Sequence, residues 1–490
     1  MKIAFHTLGC KVNQYETDAL KENFKSKGHE IAEDESFADV YVINTCTVTS
    51  LADRKSRQYI RRAKKLNPQS IIAVTGCYAQ VSPEEAASID GVDFVIGNDD
   101  KMNIPEQLEK FLVGMSITDT KKSKDVGMSS NSDSRTRAFI KVQDGCDRFC
   151  SYCIIPYARG KLQSRPIEHI ISETKNLIDK GFKEIVLTGI NAALYGADMD
   201  SELQMSDRTG VDMDSELRIS DVNDANAFGK NSGKEVLGIE SVIKELNALD
   251  GDFRIRLGSL EPTVIDANYI KKLLKYEKLC HHMHLSLQSG SDNVLKSMNR
   301  KYNIDEYMQI IKVLEQFDPE YGISTDIIVG FPGETNDDFV ESLKITENVD
   351  FCKVHVFKYS NRKGTAASKM SGQIDGTEKS RRSAKLITTG DASAIRFFKK
   401  NLTKEKKVLI EEFVKKLDCY TGYTDNYIKV YIDKKYFNDN CTNSDLNLDS
   451  GNGSNKNRQV RSEISKNYIN EFVNVRLTGI FEDGMLAEPV

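Results

Sequence analysis

The sequence predicts an α/β protein in three successive parts: a parallel α/β sheet, a partial (β/α)6 barrel and a small antiparallel β-barrel. Three observations carry this. Residues 1–113 repeat one pattern three times, a short apolar run, a cysteine and a helix-like stretch. Residues 137–370 hold six strand-like runs separated by helical stretches, and from about residue 404 the pattern changes to short alternating strands.

In the first part, residues 2–8 lead to Cys10, residues 40–45 to Cys46 and residues 71–76 to Cys77. Alternating strands and helices imply a flavodoxin-like parallel sheet, whose ligands bind beyond the carboxyl ends of the strands. All three cysteines fall on that edge. Gly9 and Gly76 precede two of them, which suits a backbone that turns sharply or approaches a cofactor closely. Three buried structural cysteines are the plain alternative, since free cysteine is often buried. Three thiolates at three strand ends read instead as ligands of an iron-sulfur cluster. Residues 114–136 lack apolar periodicity and read as a linker.

The barrel runs span residues 139–142, 184–187, 253–257, 282–287, 325–329 and 352–357. Catalytic groups in such barrels lie at the strand C-terminal ends. The first strand delivers Cys146, Cys150 and Cys153 there, in a CxxxCxxC spacing. Three thiolates on one short loop can hold three irons of a [4Fe-4S] cluster, leaving the fourth iron open to chelation by S-adenosylmethionine. Zinc would want a fourth ligand nearby, and the nearest downstream candidate is a lone His169. Later strand ends offer polar and glycine-rich turns for the same cofactor: Thr188 and Gly189, Ser259 and Glu261, Gln288 and Ser289, and Gly330. Residues 197–235 are acidic, contain a near-duplication (MDSEL at 199–203 and 213–217) and read as an insertion; residues 438–467 read as a second.

The last part, residues 404–490, carries strand-like runs at 427–432, 471–477 and 484–488, and follows a basic helical connector over residues 371–403. Small barrels of this kind either bind RNA or serve as structural caps. The formal net charge of −5 argues against a nucleic-acid partner only superficially, because residues 198–224 alone hold nine acids against two arginines, a local −7 that leaves the rest of the chain at +2. Two basic runs remain. One places Arg54, Arg57, Arg61 and Lys65 on one helix face, and the other holds Arg381 and Arg382; beside a radical site they favour a phosphate backbone over a solvated face. The first residues lack a secretory apolar core and no apolar run approaches a membrane span, so a cytoplasmic protein with no membrane partner is expected. Cys280, Cys352, Cys419 and Cys441 are assigned structural roles.

The runs FHTLGCKVNQYET (5–17), INTCTVT (43–49) and GCYAQ (76–80), with the CxxxCxxC, make the chain resemble the radical S-adenosylmethionine methylthiotransferases, and most closely their branch acting on threonylcarbamoyladenosine in tRNA. The resemblance implies an N-terminal methylthiotransferase domain with an auxiliary cluster on Cys10, Cys46 and Cys77, a central radical domain and a C-terminal TRAM-like domain. It further implies two [4Fe-4S] clusters, S-adenosylmethionine, and methylthiolation of adenine C2 at position 37 in the tRNA anticodon loop. A reductant protein and a sulfur donor would be needed. Other branches modify isopentenyl-adenosine 37 or an aspartate of a ribosomal protein. From a different class, a non-catalytic iron-sulfur RNA-binding or sensor protein has no need of an open-iron CxxxCxxC at a barrel rim.

Overall fold

The computed structural model describes residues 1–34, 36–113, 136–199, 238–437 and 468–490. The expected linker therefore lies outside the described residues except for Thr136, as do residues 200–235 of the first insertion and all of the second. The chain divides into two compact units, Met1–Phe397 and Phe398–Val490.

The first unit begins with a five-stranded parallel sheet of β1 (Lys2–Thr7), β2 (Glu30–Ala32), β3 (Val40–Thr45), β4 (Ile71–Gly76) and β5 (Phe94–Val95), in the order β2-β1-β3-β4-β5. That is the doubly wound order of flavodoxin-like sheets. Successive side chains of one strand go to opposite faces. Tyr41 and Ile43 join a core with Tyr59, Ile60 and Ala63, whereas Val40 and Val42 join another with Leu20, Phe24 and Leu108. Helix α1 (Lys11–Ser26) and α5 (Ile104–Leu112) thus cover one face. Helix α2 (Ser50–Leu66), α3 (Cys77–Val81) and α4 (Pro83–Ala87) cover the other. Thr49 starts α2 by accepting the Ala52 N–H on its hydroxyl at 3.2 Å.

The barrel strands are β6 (Arg137–Lys141), β9 (Glu184–Thr188), β10 (Arg254–Leu257) continuing as β11 (Ser259–Leu260), β12 (His282–Leu285), β13 (Gly322–Val329) and β14 (Lys353–Lys358), all parallel. The two-residue strands β7 (Gln143–Asp144) and β8 (Gln163–Ser164) pair with each other at the rim. The third barrel strand changes partner at Gly258: β10 pairs with β9, while β11 pairs with β12. An open six-strand arc results, β6-β9-β10/β11-β12-β13-β14. Helix α6 (Ile155–Arg159) follows the cysteine loop. Helices α7 (Ile167–Asp179), α8 (Ile239–Asn247), α9 (Ala267–Leu273), α10 (Asp292–Ser297), α11 (Ile304–Phe317) and α12 (Asn336–Asn348) follow in turn. The shared core takes Ile140, Leu187, Ile255, Leu285, Ile323 and Val354 from the strands and Leu177, Ile243, Ile310 and Phe339 from the helices. The expected basic connector is α13 (Gly376–Lys400), tied to the barrel where the Ser393 hydroxyl donates to the Val349 carbonyl and Arg396 pairs with Asp350.

The second unit is a closed barrel of β15 (Glu405–Val414), β16 (Cys419–Thr424), β17 (Lys429–Asp433), β18 (Phe472–Phe481) and β19 (Gly484–Pro489), in the order β15-β16-β17-β19-β18. One correction to the sequence reading follows. The barrel is not wholly antiparallel, because β17 and β19 run parallel. Parity requires it: directions cannot alternate all the way round a ring of five strands. Val408, Ile410, Val430, Ile432, Val475, Leu477, Met485 and Ala487, at alternate positions, fill its interior.

Candidate active site

Past β1, β3 and β4 the three N-terminal cysteines meet at the sheet's carboxyl edge. Gly9 has φ +105°, and a Cβ on it would stand 2.8 Å from Cys46 Cβ, so only glycine lets the Cys10 turn come this close. Gly76, at φ +96°, would put a Cβ 2.3 Å from the Thr45 carbonyl oxygen. Asn13 ties the loops together, its amide donating to the Leu8 carbonyl at 2.7 Å and the Thr45 carbonyl at 3.0 Å. Cys46 and Cys77 are buried and Cys10 is exposed. Burial pushes the Cys46 thiol up to about 11 and also raises Cys10, and the neighbouring thiols add to both shifts. Thiols raised in this way, as Cys10 and Cys46 are, bind metal by releasing protons.

The CxxxCxxC loop is held as firmly. Gly145, at φ +67°, lies so close to the Lys161 carbonyl that a Cβ would overlap it at 1.8 Å. The Ser151 N–H donates to the Met298 carbonyl at 3.0 Å, its hydroxyl to the Ser297 carbonyl at 2.8 Å, and the Asn299 amide to the Phe149 carbonyl at 3.1 Å. Cys146, Cys150 and Cys153 are all partly exposed. Burial raises the three thiols, Cys146 to about 11 and Cys153 to about 12, while Arg300 and Arg148 pull Cys150 back toward the thiolate.

The barrel positions expected to bind S-adenosylmethionine converge on this rim at strand C-terminal ends. Glu261 is the most connected. It is buried, accepts from Arg300 at 2.8 Å and from Asn191, and pairs with Arg148 at 3.3 Å. Arg300 also donates to the Tyr152 hydroxyl at 2.8 Å, inside the cysteine loop. Thr188 is buried at the end of β9, and the following Gly189 packs on Gln143, whose amide donates to the Gly145 carbonyl at 2.6 Å. Gln288 is buried at φ +66°, Ser289 is buried beside it, and Ser259 is exposed. Gly330 donates its N–H to the Glu334 carboxylate and packs on Lys379.

The two cysteine sets are neighbours. Helix α3 opens at Cys77 and packs on α6, which opens two residues after Cys153. The Asn98 amide donates to the Ala158 carbonyl at 2.7 Å and lies 3.9 Å from Cys77 Sγ. Arg159, at the end of α6, donates to Glu16 at 2.9 Å, to Asp144 at 3.0 Å and to the Asn13 side chain. Lys101 and Lys141 complete the network at 2.5 and 3.6 Å from Glu16. Burial alone would raise the Glu16 carboxyl, but Arg159, Lys101 and Lys141 hold it well below the usual range. On the other side Arg362, after β14, pairs with Asp53 at 2.7 Å and donates to Thr47, just beyond Cys46. Sequence reasoning missed Arg159, Glu16, Arg300 and Arg362. Glu16 and Arg159 offered only proximity to a cysteine loop, and Arg300 and Arg362 offered no signal, because the partners that give them a role are distant in sequence.

On α2, Arg54, Arg61 and Lys65 are exposed and Arg57 is half-buried in an ion pair with Glu85 at 3.1 Å. Arg381 is exposed beside Glu378 at 2.7 Å, whereas Arg382 is buried and committed to Glu334 and Glu378. Cys280, Cys352 and Cys419 are buried, and Cys441 lies outside the described residues. No described helix is long and apolar enough to cross a membrane.

Comparisons with known proteins agree with this geometry. Residues 2–97 match a family model described as uncharacterized protein family UPF0004, and residues 140–345 match the radical SAM superfamily. A radical SAM enzyme uses S-adenosylmethionine and a [4Fe-4S] cluster. The chain is 39% identical over 439 residues to the threonylcarbamoyladenosine tRNA methylthiotransferase MtaB of Bacillus subtilis, covering 87% of this chain and 89% of that one. To the protein of the same name from Thermotoga maritima it is 35% identical, covering 87% and 90%. A tRNA-2-methylthio-N(6)-dimethylallyladenosine synthase of Clostridium tetani is 32% identical, covering 83% and 84%. Among solved structures, the radical S-adenosylmethionine methyltransferase TsrM from Kitasatospora setae matches with a TM-score of 0.50 at 12% identity over 73% of this chain and 72% of that one, a likeness of fold alone. With two cysteine sets side by side in one unit and relatives of this identity along nearly its whole length, the chain belongs to the radical S-adenosylmethionine methylthiotransferase family.

Proposed function

We propose that the protein methylthiolates C2 of N6-threonylcarbamoyladenosine at position 37 of tRNA, giving the 2-methylthio derivative. The observation that carries this reading is the packing of α3 on α6, which sets Cys10, Cys46 and Cys77 beside Cys146, Cys150 and Cys153. Each set fits a [4Fe-4S] cluster with one open iron, being three thiols with no fourth cysteine assigned to them among the described residues. When bound, the barrel cluster with S-adenosylmethionine would supply a carbon-centred radical, and the auxiliary cluster would supply the sulfur. The chain's own residues prepare these sites. Arg300 and Arg148 stabilise the ligating thiolate of Cys150, and Asn191 and Arg300 fix Glu261 at the rim where the cofactor's polar groups belong. Thr188, Gly189, Ser259, Gln288, Ser289 and Gly330 line the remaining strand ends.

Arg54, Arg57, Arg61, Lys65 and Arg381 are assigned to the RNA backbone, with the C-terminal barrel as a TRAM-like RNA-binding domain; Arg382 is better read as a brace for Glu334. A cytoplasmic location, a reductant protein and a sulfur donor belong to the same reading. The threonylcarbamoyl branch is favoured by the MtaB relatives at 39% and 35% identity over the 32% of the dimethylallyladenosine synthase. Mass spectrometry of tRNA nucleosides from cells with and without the gene tests it: the 2-methylthio-threonylcarbamoyl nucleoside should vanish. Loss of the isopentenyl product, or of a ribosomal methylthio-aspartate, would reassign the branch. Roles separate in vitro, where Cys150→Ala should abolish 5'-deoxyadenosine formation and Cys46→Ala should retain it while losing thiolated product.

A further inference from the structure

The inner face of the barrel carries a polar group that neither cysteine set uses. Met283, Leu285, Ile323, Ile327 and Val354 pack outward into the core, so His282, His284, Ser324, Asp326 and His355, at alternate positions, face inward. The strand register sets His284 opposite Ser324 and Asp326 opposite His355. Ser324 Oγ lies 3.0 Å from both His284 Nδ1 and His282 Nε2, which turns His284 Nε2 toward Asp326 Oδ2 at 3.1 Å, without the alignment of a hydrogen bond. One ligand atom from each of His284, Asp326 and His355 lies within 4.8 Å of the other two.

That geometry would suit either a divalent metal ion or a polar organic group, and charge decides between them. Lys11 and Lys353 bear on His355, and Arg256 and Lys11 bear on His282. The carboxylates on this face are Asp326 and Glu184, and Glu184 is already held by Arg254 at 2.6 Å, Arg256 at 2.8 Å and Arg137 at 3.5 Å. A dication would meet one available carboxylate and the repulsion of several cations. An anion carrying its own hydroxyl and N–H donors would meet a cation, imidazoles and a carboxylate acceptor. Lys11 reaches inward until Nζ stands 5.6 Å from the Phe139 ring, and it makes no ion pair among the described residues. It follows Cys10 directly, and Phe139 lies on β6, the strand that leads to the Cys146 loop, so Lys11 links this face to the chain segments that carry both cysteine sets. In adenine, C2 and C6 flank N1, so a base held with C2 between those sets carries its N6 substituent on the same edge.

We propose that Lys11, His284, Asp326 and His355 form the pocket for the N6-threonylcarbamoyl group, with Lys11 receiving its carboxylate and Asp326 its hydroxyl or N–H. This rests on the substrate reading above and adds the residues that read it. The test uses reconstituted full-length enzyme and synthetic anticodon stem-loops bearing threonylcarbamoyladenosine, its methyl ester, or isopentenyladenosine. The wild type should prefer the free acid to the ester by about tenfold or more in kcat/KM. Lys11→Met should bring that ratio near one, and Lys11→Arg should keep it. Asp326→Asn and His355→Gln, remote in sequence from the cysteines, should each lower kcat/KM on the free acid by about tenfold, with iron content and RNA-independent 5'-deoxyadenosine formation unchanged. A preference undiminished in Lys11→Met, or full activity of both remote variants, would overturn the pocket while leaving the substrate reading intact. A wild type active only on isopentenyladenosine would overturn both. Stoichiometric zinc with nitrogen and oxygen ligation by X-ray absorption, lost in Asp326→Asn, would overturn it in favour of a metal.

Discussion

Arg159 lies between Glu16, Asp144 and Asn13, joining the first helix of the N-terminal sheet to the loop that carries Cys146. Replacing it with methionine leaves the buried Glu16 and half-buried Asp144 carboxylates with only Lys101 and Lys141 as cations beside them. Removing one partner of a buried ionic network costs about 3–5 kcal/mol, so Arg159→Met should lower the urea midpoint of the first unit sharply. Glu16 gives the network a pH dependence of definite sign. Its folded carboxyl ionises below the unfolded value, so its contribution is complete above about pH 4.5 and is lost as pH falls through the folded value. The stability difference between wild type and Glu16→Gln should therefore hold steady from about pH 5 to 8 and shrink below about pH 4. Gly145 offers a second test at this scale. An alanine there would be driven into the Lys161 carbonyl and pay for a positive φ as well. Gly145→Ala should displace the CxxxCxxC loop and cut reconstituted iron from about eight to about four per chain, sparing the N-terminal set.

Helix α2 is the element whose solvent face is proposed to meet RNA. Its inner side, with Ser56, Tyr59, Ile60 and Ala63 buried, is fixed by packing, which leaves Arg54, Arg61 and Lys65 exposed together. If these three touch phosphates, changing all three to glutamine should reduce the slope of log affinity against log salt by about two to three; an unchanged slope would place the RNA elsewhere. The elements themselves were legible to different degrees, for physical reasons. Strands such as residues 40–45 and 71–76, buried on both faces of a parallel sheet, read as continuous apolar runs. The six barrel strands read equally well. The edge strands β2 and β5 escaped notice because two or three residues carry no period. The break between β10 and β11 escaped too, since a change of pairing partner at Gly258 leaves no mark on composition. Among site residues, the cysteines announced themselves by spacing. Arg381 and Arg382, adjacent in a basic run, looked equivalent, yet helix rotation exposes one and buries the other against Glu334.

At the scale of the molecule, all six site cysteines and the links between them, Arg159 to Glu16 and Arg362 to Asp53, belong to the unit Met1–Phe397. The unit Phe398–Val490 closes its own barrel around its own apolar interior, and Asn401 is buried there against Asn426. Closure leaves no unpaired strand edge and makes such a barrel capable of folding by itself. A chain ending at Lys400 should therefore assemble about eight irons and form 5'-deoxyadenosine at the full-length rate, because nothing that holds either cysteine set has been removed. If the terminal barrel binds RNA, the same truncation should weaken tRNA binding and raise KM for tRNA while leaving the single-turnover rate on saturating RNA close to that of the whole protein. The alternative role of a structural cap predicts the opposite pattern, with iron content and thermal stability falling together and tRNA affinity changing only in proportion to the folded fraction. Measuring iron, melting temperature and tRNA affinity on the one truncated protein separates the two.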